Sequence, residues 1–99
     1  MSVVGVSIVP IGTKAPGISS FVAECLKVLN RYNDLTYELT PMATVIEGDL
    51  ARILEAVKEM HEAPFGSGAV RVLTNITIDD RRDRELTMRG KVGSVKEKI

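Results

Sequence analysis

The hydrophobic pattern of this chain predicts an α+β sandwich in the order strand, helix, strand, strand, helix, strand. The strands would form a four-stranded antiparallel sheet with two helices on one face. Three observations carry that expectation. β-Branched residues recur with strand periodicity at both ends of the order, apolar residues recur at helical spacing in two separate stretches, and two short strand-like runs flank Pro41 between those stretches.

The first strand is Val3–Pro10, with Val4, Val6 and Ile8 on a wholly apolar face and Val3, Gly5, Ser7 and Val9 on a mixed one. Ile11–Gly17 reads as loop, punctuated by Gly and Pro. Ser19 or Ser20 can then cap a helix running to about Tyr32, with Ile18, Val22, Cys25, Leu26 and Leu29 as its buried stripe. Leu35–Thr40 alternates as a half-buried strand, and Met42–Ile46 follows as its hairpin partner, the turn lying near Thr40-Pro41 because Pro presets a turn but cannot donate to a ladder. Asp49 caps a second helix whose stripe is Leu50, Ile53, Leu54, Val57 and Met60, ended by Pro64 and Gly66-Ser67-Gly68. The last strand, Val70–Ile78, sets Val70, Val72, Thr74, Ile76 and Ile78 against Arg71, Leu73, Asn75 and Thr77. A short C-terminal helix carries Leu86, Val92, Val95 and Ile99. This βαββαβ succession is the ferredoxin-like arrangement, with residues 1–99 as a single domain. Its second sheet face is left bare with Val3, Val9, Ile11 and Leu73 directed there, so a partner is the expected cover, and residues 80–99 are expected at an oligomer interface.

Composition excludes several classes. Thirteen basic side chains balance thirteen acidic ones, which argues against general nucleic-acid binding. A lone Cys25 cannot form an internal disulfide, and a lone His61 leaves no zinc cluster, so neither a metal nor a cofactor is expected. Cys25 reads as a small buried hydrophobe and His61 as a helix-end or surface residue. No apolar run approaches the roughly 20 residues of a membrane span, and no basic leader precedes the first strand, so the expected location is cytoplasmic. Charge is uneven: residues 1–78 hold six basic and eight acidic side chains, residues 81–99 seven basic and three acidic. Asp79, Asp80, Arg81 and Arg82 adjoin one another at the boundary, so local ion pairs are expected.

No catalytic constellation is present, and no enzymatic activity is expected. The chemically informative stretch is Tyr37–Gly48, which places an aromatic ring, threonine hydroxyls, the Met42 thioether and two carboxylates on one hairpin. These parts suit a planar heteroaromatic ligand, although spacing alone favours an ordinary hairpin with core and rim residues. Gly12 and Thr13, with the helix start near Ser19, could offer donors to an anion, but the glycines lack a phosphate-binding spacing.

Several segments together resemble the small ferredoxin-like thiamine-binding proteins, the single-domain relatives of YkoF. They are Val9-Pro10-Ile11-Gly12-Thr13, Ile18-Ser19-Ser20-Phe21-Val22-Ala23, Tyr37 through Gly48, Val72 through Arg81, and Lys91 through Lys98. The resemblance implies a non-enzymatic binder of thiamine or its hydroxymethylpyrimidine part, assembled as a tetramer of paired dimers. Position by position it implies Gly12, Thr13, Ser19, Ser20, Thr40, Met42, Thr44 and Glu47 as ligand contacts; at the strand end beside Gly48, the Glu47 carboxylate would suit a cationic or amidine-like edge. Phe21 stands where that pattern has a tyrosine, and Ala43 where it often has glycine. The alternative reading is a structural or regulatory homo-oligomer without a dedicated small-molecule ligand.

Overall fold

The computed structural model describes residues 1–12, 19–83 and 87–99. Its elements are β1 (Ser2–Pro10), α1 (Ser19–Leu29), β2 (Thr36–Leu39), β3 (Thr44–Gly48), α2 (Leu50–Gly66), β4 (Val72–Asp80) and α3 (Met88–Glu97). The four strands form one antiparallel sheet in the order β2-β3-β1-β4. This is the expected ferredoxin-like βαββαβ arrangement with a C-terminal helix added.

The even positions of β1 lead into the core. Val4 and Val6 are buried with Ile46 of β3 beneath Cys25, Val28 and Leu29 of α1 and Ile53, Ala56, Val57 and Met60 of α2. Ile8 packs against this cluster at its margin. The α1 stripe is rotated from the expected one: Phe21, Cys25, Val28 and Leu29 are buried, while Val22 and Leu26 are only partly covered. In α2 the stripe shifts likewise, with Ala56 and Pro64 inside and Leu54 at 41% exposure.

α2 also continues through Pro64 to Gly66 instead of ending before it. A proline inside a helix cannot donate to the carbonyl four residues earlier, here that of Met60. The Cys25 thiol, from α1, donates to that Met60 carbonyl at 3.4 Å. Burial pushes the Cys25 thiol pKa up, which keeps the donor protonated. Asp49 caps α2 as expected, accepting from the Arg52 amide at 3.2 Å.

Where β3 meets α2, Gly48 has φ 154°, and a Cβ there would stand 2.5 Å from the Leu35 side chain. The Asn33-Asp34 turn is held by Arg52, whose guanidinium donates to both Asp34 oxygens at 2.8 and 3.0 Å, reaches Glu55 at 3.0 Å and lies 4.5 Å from the centre of the Tyr32 ring. The Tyr32 hydroxyl donates to Glu59 at 2.6 Å.

α3 accounts for part of the second sheet face. The register aligns Glu47, Val3 and Asp79 in one lateral row. Glu47 accepts a hydrogen bond from the Met88 amide at 2.8 Å, and Asp79 pairs with Lys91 at 2.5 Å. α3 is thus held at both sides of Val3, which is 7% exposed. None of its own residues is buried, and Val92 and Val95 are more than half exposed. Beyond this row Gly5, Ser7 and Val9 are partly exposed and Leu73 is 50% exposed, so the expected bare face is bare only away from α3. Leu86 lies outside the described residues. The boundary charges pair locally, Arg82 with Asp80 at 2.9 Å and Arg81 with Asp83 at 2.6 Å.

Candidate functional site

β1 is longer than β3. The β1·β3 ladder ends where Val6 faces Thr44, whereas β1 continues to Pro10 along β4. The hairpin turn accounts for the difference. Thr40 donates its amide to the Ala43 carbonyl at 2.9 Å, its hydroxyl donates to the same carbonyl at 2.7 Å, and that hydroxyl accepts from the Ala43 amide at 3.1 Å. The turn closes on itself at Thr40-Pro41-Met42-Ala43, and β3 cannot extend alongside Ser7–Pro10. Main-chain groups on that side of β1 therefore have no β3 partner.

Ladder parity identifies them. The Ile11 amide donates to the Arg71 carbonyl at 2.9 Å, so odd residues of β1 bond to β4 and even residues point toward β3. Ile8 is the even residue just past the ladder's end. Parity turns its N–H and C=O to the side where β3 has ended, and Ile8 lines a groove of about 460 Å³ between β1, the hairpin and α1. Ile8, Leu39, Met42, Thr44, Val22 and Leu26 are among its lining residues, and no described lining residue is charged.

Of the residues the sequence singles out, Thr40, Met42 and Thr44 come together here. Thr40 is committed to the turn, Thr44 is buried at the groove floor, and Met42 is 86% exposed at the rim. Glu47 does not join them. Thr44 and Ile46 share one sheet face, so the odd-numbered Glu47 points to the other, where it binds the Met88 amide. Glu47 instead borders a second groove with Thr36, Tyr37, Arg89 and Lys96, between β2 and α3. Gly12, with φ 74°, and Ser20 lie in neither lining. Thr13 and the side chain of Ser19 lie outside the described residues. Phe21 is a core residue and not a groove wall, so its missing hydroxyl leaves the groove as it is.

Sequence reasoning missed Val22 and Leu26 as groove residues because their i, i+4 spacing is that of a core stripe. Ile8 was missed because its contribution is main-chain, which no side-chain pattern reveals. The difference in strand length is the signal that could have found it. Tyr37 donates to Asn30, which fixes the hairpin against the end of α1.

A ferredoxin-like sandwich with an apolar groove beside a strand edge that has no strand partner among the described residues defines the structural class. Within it, the chain belongs to the thiamine-binding protein family, whose model matches residues 4–96. It is 46% identical over 98 residues to the UPF0045 protein YqgV of Bacillus subtilis, covering 96% of this chain and 94% of that one. The crystal structure of a hypothetical protein from Methanocaldococcus jannaschii superposes with a TM-score of 0.86 at 38% identity, covering 97% of this chain and 96% of that one. A Thermotoga maritima protein assigned provisionally to thiamine biosynthesis or salvage shares the fold, with a TM-score of 0.79 at 21% identity over 95% of this chain and 97% of that one.

Proposed function

We propose that this chain is a non-catalytic binding protein for thiamine or its hydroxymethylpyrimidine part, held in the hairpin groove. The observation that carries the reading is the edge of β1 at Ile8, a lining residue of the apolar groove whose N–H and C=O have no strand partner on that side among the described residues. An aminopyrimidine presents an exocyclic N–H donor beside a ring-nitrogen acceptor. A single extended residue offers the complementary acceptor and donor side by side, as it would to a neighbouring strand. Thr44 and Met42 then bound the flat faces of the ring, and Thr40 acts by holding the turn that keeps the edge open. The family description and the provisional salvage role of the Thermotoga neighbour support the same ligand class. Glu47 is not a contact in this reading.

The chain also works as a homo-oligomer in this proposal, a second copy covering Val9 and Leu73 on the bare part of the sheet; the tetramer is the state that the family resemblance implies. Calorimetric titration with thiamine, with hydroxymethylpyrimidine and with the isolated thiazole alcohol tests the function. Heat with the first two and none with the third is the expected result, accompanied by a shift of the Ile8 amide resonance. Absence of heat with all three would overturn it and leave the structural-oligomer reading.

A further inference from the structure

The groove between β2 and α3 differs in kind from the hairpin groove. Its volume is about 650 Å³, and charged residues stand on both of its walls. Register sets the sheet wall. Thr36 pairs with Glu47 and Glu38 with Val45, so Thr36, Glu38 and Glu47 share the sheet face turned away from α1 and α2. Helical spacing sets the other wall. Arg89, Val92, Gly93 and Lys96 recur at i, i+3, i+4 and i+7, which places the two cations on one side of α3, about 10 Å apart along its axis.

These opposite charges do not close on one another. Glu38, Arg89 and Lys96 make no ion pair among the described residues, whereas Lys91, on the other flank of α3, is taken by Asp79. Glu47 reaches the backbone of α3 rather than its cations, accepting from the Met88 amide through Oε2. Two carboxylates and two cations therefore line one groove with the gap between them unbridged. Met88 and Val92 add apolar surface to it.

We propose that this second groove binds a small zwitterion of the α-amino-acid type, its ammonium toward Glu38 and Glu47 and its carboxylate toward Arg89 and Lys96. A simple cation would meet attraction at one wall and repulsion at the other, and a simple anion the reverse. A molecule carrying both charges satisfies both walls. The groove charges also cancel, which suits a ligand without net charge. An aliphatic side chain on that ligand lies against Met88 and Val92. Bound there, the ligand ties the sheet to a helix that has no buried residue of its own, so it fastens α3. The site is separate from the hairpin groove, with which it shares no lining residue.

L-Leucine and its two half-charged analogues test the proposal on the full chain. N-acetyl-L-leucine keeps only the negative charge and L-leucinamide only the positive one. In titrations followed by amide resonances, L-leucine at millimolar concentration should shift Val92 and Gly93 saturably, and neither analogue should. Deuterium exchange of the α3 amides should slow in the presence of L-leucine. Glu38→Gln and Arg89→Gln change exposed side chains, so the fold is retained. Each should weaken the interaction about tenfold through loss of a charge-assisted hydrogen bond, whereas Lys58→Gln, exposed on α2, should leave it unchanged. No saturable shift with L-leucine, equal shifts with either analogue, shifts at Ile8 instead of α3, or full affinity in both groove variants would each overturn the proposal.

Discussion

At the scale of single residues, two side-chain hydrogen bonds stand out. Pro64 removes the helical donor to the Met60 carbonyl, and the Cys25 thiol takes its place. A buried acceptor that loses its donor costs about 1–3 kcal/mol, so Cys25→Ala should destabilise the protein by roughly that amount plus the small loss of packing. Cys25→Ser keeps a donor and should cost less. In a Pro64→Ala background, where residue 64 regains an N–H, the penalty of Cys25→Ala should shrink; additive losses in chemical denaturation would refute the coupling. The second case is Tyr32. Its hydrogen bond to Glu59, with help from burial and the nearby Glu55, pushes the phenol up to about 12 from an ordinary value of 10. A phenol whose folded pKa is raised stabilises the fold fully below pH 10 and loses that contribution as pH climbs from 10 to 12. Ultraviolet titration of a Tyr37→Phe variant should therefore give a native midpoint near 12, and Glu59→Gln should lower it. Arg52 acts from the other side of the same ring: its hydrogen bonds hold the Asp34 carboxyl below the usual range, a contribution present at neutral pH and lost as acid protonates Asp34. Both groups are half-exposed, so the effect is small.

At the scale of elements, Gly48 governs the junction of β3 and α2. Its φ of 154° strains any residue that carries a Cβ, and the Leu35 side chain, 2.5 Å from a would-be Cβ, would have to move aside for alanine. Gly48→Ala should cost about 1–3 kcal/mol in unfolding free energy and shift Leu35; an unchanged melting temperature would contradict this. Element types were largely legible in the sequence. The alternation of Val4, Val6 and Ile8 reports burial directly, and Asp49 is a cap that local chemistry alone identifies. What the sequence withheld were matters of placement. The helix that continues through Pro64 depends on a thiol from another helix, which no local signal contains. Ile76 and Ile78 alternate like core residues yet lie at a sheet edge, and edge position is a property of strand order. Glu47 was legible in its parity, since Thr44 and Ile46 already assign it to the opposite face; its proximity to Met42 and Thr44 along the chain masked that. The structure gives it a different task, so Glu47→Ala should loosen α3 and leave thiamine affinity unchanged. A tenfold loss of affinity in calorimetry would return Glu47 to the site.

At the scale of the whole molecule, the groove exists because one strand is longer than its neighbour and a self-closed turn keeps it so. Binding to the folded state alone stabilises it by about 2.7 kcal/mol at a ligand concentration a hundredfold above Kd. Saturating thiamine or hydroxymethylpyrimidine should accordingly raise the melting temperature by several degrees, and dialysis should reverse the shift. Thr44→Phe, which fills the groove floor, should abolish the ligand-induced shift while the free protein remains folded by circular dichroism. A retained shift would place the ligand elsewhere. The fold was the more legible part at this scale because hydrophobic periodicity reports which faces are buried. The groove was legible only as a hairpin bearing suitable side chains, since the groups we propose for recognition belong to the backbone.

The tethering of α3 at its first turn and through Lys91 has a dynamic consequence. A helix with no buried residue, fastened by a carboxylate at its start and one ion pair along its length, can detach without disturbing the sheet. Its amides should exchange with deuterium as a separate unit, at opening free energies well below that of global unfolding. Because both fastenings rest on charge, that exchange should quicken with added salt, while the amides of Val4 and Val6 keep their protection. Each opening would uncover Val3 and release the carboxylates of Glu47 and Asp79 to solvent, giving the sheet face two states that alternate faster than the molecule unfolds.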